Sequence, residues 1–526
     1  MAKAIRKPLS FTTTLRNPMR IAGFLSCMLP FEYQTLTNER VLDIMHLLIG
    51  KRLYCPSYVR RSVLRDVFKN EDAPLTTEQL DEIIKNSPQK HKEKGFAYGW
   101  ESRFDTMYKF PLELGLVNYA MGEPIVLSAT GHMLVDAYSE SPVNEEKIQN
   151  VLLNAMVKFR TNNPFRKNAN SNVPLVLLLQ VLKLLHDNAP ESKGIFRQEL
   201  SLFICWENND AHALYNFILK IRTKRRFTYS NEYMYDICLK LLQGEDKRNY
   251  FKMSKICNEA VDEYIRKMRI TGVISLRGNG RFVDFNTFEM TKIEYILNNY
   301  TTQPIYTEKA DYYAYMGKID ALLINVSTPS IDVNDVRKRK LDEYAKNYPA
   351  NKIFDELCRV CHQHTSTDLV FKVIAEPVRL EFLTSIALVQ QFKGLDVNPN
   401  YSVDDEGLPT CTARGGVADI VCFDPEYDGL FEVTLMCGRN NQVNNEIIPI
   451  QRHLTEARKK NANTFSVFIA PKIHTDTREA VWLYKEQKKL DILAYDIDEF
   501  ITAVKAKSRI GELLNKATHR IIKPKR

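Results

Sequence analysis

Two apolar runs, each interrupted by a single acid, constrain this chain more than any other feature. Gly416-Val-Ala-Asp-Ile-Val-Cys-Phe423 and Gly429-Leu-Phe-Glu-Val-Thr-Leu-Met436 read as neighbouring strands, with Asp419 and Glu432 thirteen residues apart. Adjacent strands of a hairpin bring two such carboxylates to one point, and residues two apart on a strand, such as Glu432 and Thr434, share a face. Elements alternate around this pair. Pro377 to Gln390 reads as a helix opened by proline, with buried faces. Pro449 to Lys460 reads as a second helix, Phe465 to Ala470 as a strand, Thr477 to Lys489 as a third helix, and a last strand lies near Ile492. From residue 350 onward the expected fold is therefore an α/β domain built on an α, β, β, α, β order.

The rest of the chain is too long to belong to that domain. At 526 residues and 44% hydrophobic, the protein is expected to be multidomain. Lysine and arginine exceed the acids by 73 to 64, a net charge of +9 that favours polyanionic partners without naming one. The basic stretch from Met1 to Phe11 runs into polar Thr12 to Asn17, with no apolar leader and no run long enough to span a bilayer. A cytoplasmic location, with no membrane partner, is the expectation. Ten scattered cysteines fit reduced thiols packed as small hydrophobes.

Residues 1–295 read mainly as helices, for example Asn38 to Leu48 and Thr77 to Ile84, with short strands between. Phe110 to Tyr119, Pro124 to Ser128 and the helix from Thr130 give a helix, strand, turn, strand order like that of a winged helix. A second instance follows Tyr250, where Ser254 to Met268 has helical period. Val273 to Arg277 then turns through Gly278-Asn279-Gly280 into Arg281 to Phe285, a strong hairpin signal. In such a domain the helix before the hairpin enters the major groove of DNA, and Arg277 and Arg281 at the tip lie where phosphates pass. Between the two instances, Lys220-Ile-Arg-Thr-Lys-Arg-Arg226 places five cations in seven residues. Lys224, Arg225 and Arg226 read either as a solvated helix end or as a phosphate track. Residues 296–349 are polar and mixed in charge, with helices over Tyr312 to Val326 and Asn334 to Tyr348, and read as a helical linker.

Converging hard oxygen ligands such as Asp419 and Glu432 suit Mg2+, which shares phosphate oxygens with its substrate and lowers the pKa of a bound water. Against this stands the plain reading that two acids near strand ends are surface charges. The α, β, β, α, β order resembles the PD-(D/E)XK nuclease fold, whose superfamily usually has lysine where this chain has Thr434. Glu432-Val-Thr-Leu followed by Gly438, Gln442, Glu446, Pro449 and Arg452-His453-Leu454 closely resembles the AlwI-type, type IIS restriction endonucleases, in which that lysine is also absent. The segment Ser10-Phe-Thr-Thr-Thr-Leu-Arg-Asn-Pro-Met-Arg-Ile-Ala-Gly-Phe24 resembles the family's opening, and places Arg16 and Arg20 among the expected DNA contacts.

The resemblance implies that Asp419 and Glu432 hold the metal, that Glu446 and His453 complete the catalytic site, and that Glu381 adds a carboxylate from the preceding helix. Glu376, about one and a half turns away, is the alternative to Glu381. With lysine absent, His453 is expected to orient or deprotonate the attacking water, unless it serves only to stabilise a carboxylate. It further implies a double-stranded DNA substrate, a cognate methyltransferase acting on the same site, and a transient homodimer or small second subunit for cutting both strands. A strand-specific nicking enzyme and a winged-helix regulator with an inactive nuclease domain remain as alternatives. Cys358-Arg-Val-Cys-His362 matches a haem-attachment pattern but lacks the export context, and no second ligand pair makes it a zinc site. It is expected to be structural. The expected fold class is thus a mainly α-helical N-terminal half with winged-helix subdomains, followed by an α/β PD-(D/E)XK nuclease domain over 350–526.

Overall fold

A computed structural model of the chain describes residues 5–12, 15, 17–70, 73–88, 99–189, 194–325 and 332–514. The chain divides into two compact units, residues 1–65 with 75–331, and residues 66–74 with 332–526.

The first unit is predominantly helical. Its helices begin where the sequence supplies caps: the Thr37 side chain accepts from the Arg40 amide ahead of Asn38–Gly50, and Thr76 and Gln79 form a reciprocal capping box at Thr77–Lys85. The first strand pair, β1 (Val117–Asn118) and β2 (Val126–Leu127), is an antiparallel ladder of two residues per strand. It is flanked by the helices Trp100–Glu113 and Ala129–Ser139. Later in the unit, β3 (Ile195–Phe196), β4 (Ile274–Arg277) and β5 (Phe282–Phe285) form a three-stranded sheet in the order β3-β5-β4. The β4–β5 turn passes through Gly278, Asn279 and Gly280 at φ of 57°, 55° and 79°. That left-handed run explains the glycine and asparagine there.

The helix ahead of this hairpin is buried over only part of its length. It begins as a π-helical stretch, Ser254–Glu259, and continues as Ala260–Arg269. Every residue from Glu263 to Arg269 is buried, charged ones included. Arg266 pairs with Glu263 at 2.6 Å, the Lys267 ammonium donates to the Leu15 carbonyl at 2.6 Å, and Tyr264 donates to the Pro174 carbonyl at 3.0 Å. The C-terminal half of this helix is thus enclosed by its own unit, while Ser254, Lys255, Asn258 and Glu259 at its start are exposed. Periodicity marks a helix but does not reveal that the chain's N-terminal segment closes over its polar face.

The stretch 296–349 is divided between the units. Its first helix, Lys309–Gly317, is bound into the first unit: Tyr312 donates to the Glu113 carbonyl at 2.9 Å, and the Lys158 ammonium donates to the Met316 carbonyl at 2.8 Å. The expected continuous helix from Tyr312 is broken because the Asp320 carboxylate caps the amides of Leu322 and Leu323, both at 3.1 Å, starting a new helix at Ala321–Asn325. Val326, where that helix was expected to end, lies outside the described residues. Asn334–Asn347 belongs to the second unit, where the Gln390 amide bonds the Ala345 and Tyr348 carbonyls at 2.8 and 2.7 Å.

The second unit contains a five-stranded mixed sheet. Its strands are β6 (Asp396–Pro399), β9 (Ile420–Phe423), β10 (Asp428–Val433), β11 (Phe465–Ala470) and β12 (Ile492–Asp496). The order is β12-β11-β10-β9-β6. A separate two-stranded pair, β7 (Ser402–Val403) and β8 (Pro409–Cys411), lies between β6 and β9 in sequence. β9 and β10 pair antiparallel as the expected hairpin, while β10, β11 and β12 run parallel, connected by the helices Ile448–Arg458 and Thr475–Lys488. The edge strand β6 was not expected, because Asp-Val-Asn-Pro offers a single aliphatic side chain to a pattern search. One apolar cluster joins Leu430, Phe468, Ala470, Ile492 and Ala494 of the sheet to Ile450 and Leu454 of the first of those helices. The helix Glu376–Gln391 opens at its proline as expected, and is buried from Val378 to Leu388.

Candidate active site

β9 begins one residue later than Asp419, and β10 carries Glu432 near its end. The antiparallel register, with Phe431 opposite Ile420, brings these two acids together where the strands part. An Asp419 carboxylate oxygen accepts from the Val433 amide at 2.7 Å, and the Asp419 amide lies 3.4 Å from a Glu432 carboxylate oxygen. Asn400, at the end of β6, fixes Asp419 from the other side, donating its amide to the Asp419 carbonyl at 2.8 Å and its side chain to the Ala418 carbonyl at 2.6 Å.

Two further groups reach this point from the segment between β10 and β11. His453 is on the helix Ile448–Arg458, whose inner face packs Ile450 and Leu454 against the sheet. That anchoring aims its Nδ1 at Glu432 Oε1, 2.8 Å away. Glu446 lies on a π-helical stretch, Asn441–Ile447, near the Thr434 side chain, which favours its ionised form. A one-turn widening of this kind changes which way the following side chains face. Gln442 locks the stretch in place. Its side-chain amide donates to the Met436 and Lys472 carbonyls at 3.0 and 2.7 Å, and its carbonyl accepts from the His474 amide and the Thr477 hydroxyl at 2.9 and 3.0 Å.

Burial and mutual repulsion leave this cluster reluctant to ionise fully. Burial, with Glu432 beside it, holds the Asp419 carboxyl well above the usual range. Burial and Glu446 push Glu432 up to about 8, and burial and Asp419 push Glu446 up to about 7. His453 is lowered by burial and by neighbouring Arg452, partly offset by Asp419, so its imidazole is neutral near pH 7. Among the described residues, His453 is the one basic side chain paired with any of the three carboxylates. Carboxylate oxygens clustered at a half-buried point suit a hard divalent ion. Among the described residues, no group of three or more His, Cys, Asp or Glu side chains is already arranged at metal-binding spacing.

A family model described as AlwI restriction endonuclease matches residues 112–348 and 331–503. The chain belongs to the AlwI restriction endonuclease family. It is accordingly a type II site-specific deoxyribonuclease, and it binds DNA. No curated relative matches it. Solved structures similar to it include the small subunit (R.BspD6I2) of the heterodimeric restriction endonuclease R.BspD6I, at 23% identity over 30% of this chain and 77% of that one, with a TM-score of 0.24. Restriction endonuclease FokI matches at 11% identity over 98% of both chains, with a TM-score of 0.27. FokI bound to DNA matches at 11% identity over 97% and 98%, with a TM-score of 0.25.

Within this family member the expected site residues fall into two groups. Asp419, Glu432, Glu446 and His453 converge as described. Glu381 is 3% exposed and is the more buried of the two helix acids, Glu376 being partly exposed. Its carboxylate accepts from the Ala413 amide at 3.2 Å, on the loop leading to Asp419, and it lies close enough to raise the Tyr401 hydroxyl. Asn400 and Gln442 hold the site together. Asn400 escaped sequence reasoning because it follows the unexpected edge strand, and Gln442 was visible only as a residue of the family pattern.

The expected DNA contacts fare differently from one another. Arg16 lies outside the described residues, and Arg20 is exposed in the first turn of the helix Pro18–Ser26. Lys224, Arg225 and Arg226 are exposed at the end of the helix Ala211–Arg225, and Arg281 is exposed at the hairpin tip. Arg277 is instead drawn back onto its own hairpin, donating to the Phe285 carbonyl at 2.8 Å beside the Asp284 carboxylate. Among the described residues, no helix is long and apolar enough to cross a membrane.

Proposed function

We propose that this family member is a type IIS endonuclease. In this reading the first unit binds a short asymmetric DNA site, and the second hydrolyses phosphodiester bonds a few bases outside it. The observation that carries the catalytic half is the convergence of Asp419, Glu432 and Glu446 with His453 bonded to Glu432 at 2.8 Å. Asp419 and Glu432 would hold Mg2+, with Glu446 adjacent, and Glu381 supports the loop that delivers Asp419. When bound, the ion supplies a more acidic water and positive charge against the developing phosphorane oxygens.

The chain's own residues do the rest. Glu432 fixes the imidazole by accepting from His453 Nδ1, which leaves Nε2 as the basic nitrogen facing the attacking water. Burial keeps that nitrogen unprotonated near neutrality. Thr434 replaces the superfamily lysine with an uncharged hydroxyl that favours the ionised form of Glu446. Such a nuclease works in the cytoplasm, beside a methyltransferase that protects the same site in host DNA. A transient homodimer or a small second subunit would supply the second cut.

Incubating supercoiled plasmid with the full-length protein and Mg2+, beside Asp419→Ala, and sequencing the product ends tests this. Discrete ends at a constant offset from one short motif, lost in the variant, are expected. Sequence-specific binding without Mg2+-dependent cleavage would instead make the chain a DNA-binding protein with an inactive nuclease fold.

A further inference from the structure

Two basic segments of the first unit, one ending at Arg226 and the other at the Gly278 turn, are far apart in sequence but joined in space by an aromatic cluster. The helix Ala211–Arg225 ends in two consecutive non-glycine residues in left-handed conformation, Arg226 at φ 44° and Phe227 at φ 62°. Bulky residues adopt that conformation only where the surroundings enforce it. Here the turn drives the Phe227 ring into the three-stranded sheet, 5.5 Å from Phe196 of β3 and 5.7 Å from Phe282 of β5, which are themselves 5.2 Å apart. Phe282 pairs with Arg277 across the hairpin, so the end of the helix is fixed beside the hairpin tip.

The cations of this region divide cleanly into inward and outward sets. Arg222 is buried, with a bidentate pair to Glu199 at 2.8 and 2.7 Å, and stacks on Phe227. Arg197 braces the tip from beneath: its amide donates to the Arg281 carbonyl at 2.7 Å, its guanidinium donates to the Gly280 carbonyl at 3.2 Å, and it also pairs with Asp262. These internal pairs stabilise the junction. Lys220, Lys224, Arg225, Arg226 and Arg281 are exposed. Lys220 and Lys224 are four apart and share a helical face. Arg225 lies over the Tyr233 ring at 4.9 Å, and Arg281 curls onto the Gly278 carbonyl at 3.2 Å, so both guanidiniums are held at the surface.

We infer that the end of the helix Ala211–Arg225 and the β4–β5 tip form one preassembled clamp for the DNA sugar-phosphate backbone. The clamp touches phosphates through Lys220, Lys224, Arg225, Arg226 and Arg281, and it reads no bases. The inference rests on the DNA-cleaving reading above and adds the face by which the first unit holds the duplex. Lysine and arginine side chains spread over a rigid junction, with the C-terminal half of the neighbouring helix enclosed, match backbone positioning rather than base readout.

The test is fluorescence anisotropy of a labelled duplex with the full-length protein, without Mg2+, over a series of salt concentrations. The triple variant Lys224→Gln, Arg225→Gln, Arg226→Gln and the single variant Arg281→Gln are compared with the unaltered chain. Removing one cation from a phosphate should flatten the slope of log affinity against log salt by about 0.9, so roughly 2 to 3 for the triple variant and about 1 for Arg281→Gln. Affinity should fall by the same factor on duplexes of different sequence, and Arg225→Lys with Arg226→Lys should restore most of the slope. If the unaltered protein binds but the variants keep its slope, or lose affinity for one sequence alone, the clamp is overturned. An unaltered protein that binds no duplex at any salt would overturn the DNA-cleaving reading itself.

Discussion

At the scale of single residues, the site is governed by carboxylates that cannot all be ionised at once. Glu432 at about 8 and Glu446 at about 7 bind protons more tightly when folded than at the ordinary value of 4.5. Their protonation therefore stabilises the fold fully below about pH 4.5, and that contribution is lost as pH rises through about 7 and 8. His453 acts in the opposite sense, but its effect falls below its ordinary value of 6.5. In EDTA the melting temperature should thus fall between pH 6.5 and 8.5. Mg2+ should restore more at pH 8.5 than at 6.5, and Glu446→Gln should flatten the dependence in EDTA. Calorimetric scans across that range check it, and a flat profile for the unaltered protein would remove the case for crowded carboxylates. His453→Ala tests the other half of the site. Loss of a positioned general base should lower the cleavage rate by about 10²- to 10⁴-fold. Single-turnover kinetics at saturating Mg2+ measure it. Cleavage at the unaltered rate would leave His453 a stabilising partner of Glu432.

At the scale of elements, the decisive feature is the π-helical stretch Asn441–Ile447 between β10 and the helix that carries His453. Glu446 and His453, seven residues apart and so close to one helical face, serve the same point while Ile450 and Leu454 stay in the core. Gln442 joins this stretch to the end of β10, to Lys472 beyond β11 and to the start of the helix Thr475–Lys488, and its side chain is fully buried. Gln442→Leu leaves two carbonyls, an amide and a hydroxyl without their partner. A destabilisation of about 2–4 kcal/mol is expected. Denaturant titration reads the stability, and the cleavage rate should fall with it even where the variant remains folded, because Glu446 loses its anchor. A rate unchanged in a destabilised variant would show that Glu446 needs no such anchoring.

At the scale of the whole molecule, the described residues contain one such carboxylate cluster, so each binding event should break one strand. A time course on supercoiled plasmid should therefore show open circles accumulating before linear product. Linear product appearing without that intermediate would show that two copies act together from the outset. The stretch that reads as a linker, residues 296–349, is shared between the two units, which divide at residue 331.

Much of the second unit is legible in the order of amino acids alone. Alternating apolar runs mark the β9–β10 hairpin, and the acids inside them mark Asp419 and Glu432, because strand periodicity is a local property. The spacing of Gln442, Glu446 and His453 becomes meaningful only through resemblance, since polar residues at helical spacing are common on any exposed face. Exposure and company, by contrast, were settled by packing in three dimensions. The stretch Ser254 to Met268 shows helical period, yet packing by segments remote in sequence buries its Glu263 to Arg269 part. In the run from Lys220 to Arg226, Arg222 turns inward to Glu199 while the cations after it face solvent beside the distant β4–β5 hairpin tip. Local pattern sets which way a side chain leaves its own element. Whether it then meets water, an opposite charge or a neighbouring ring depends on contacts between distant segments, which no window along the chain contains.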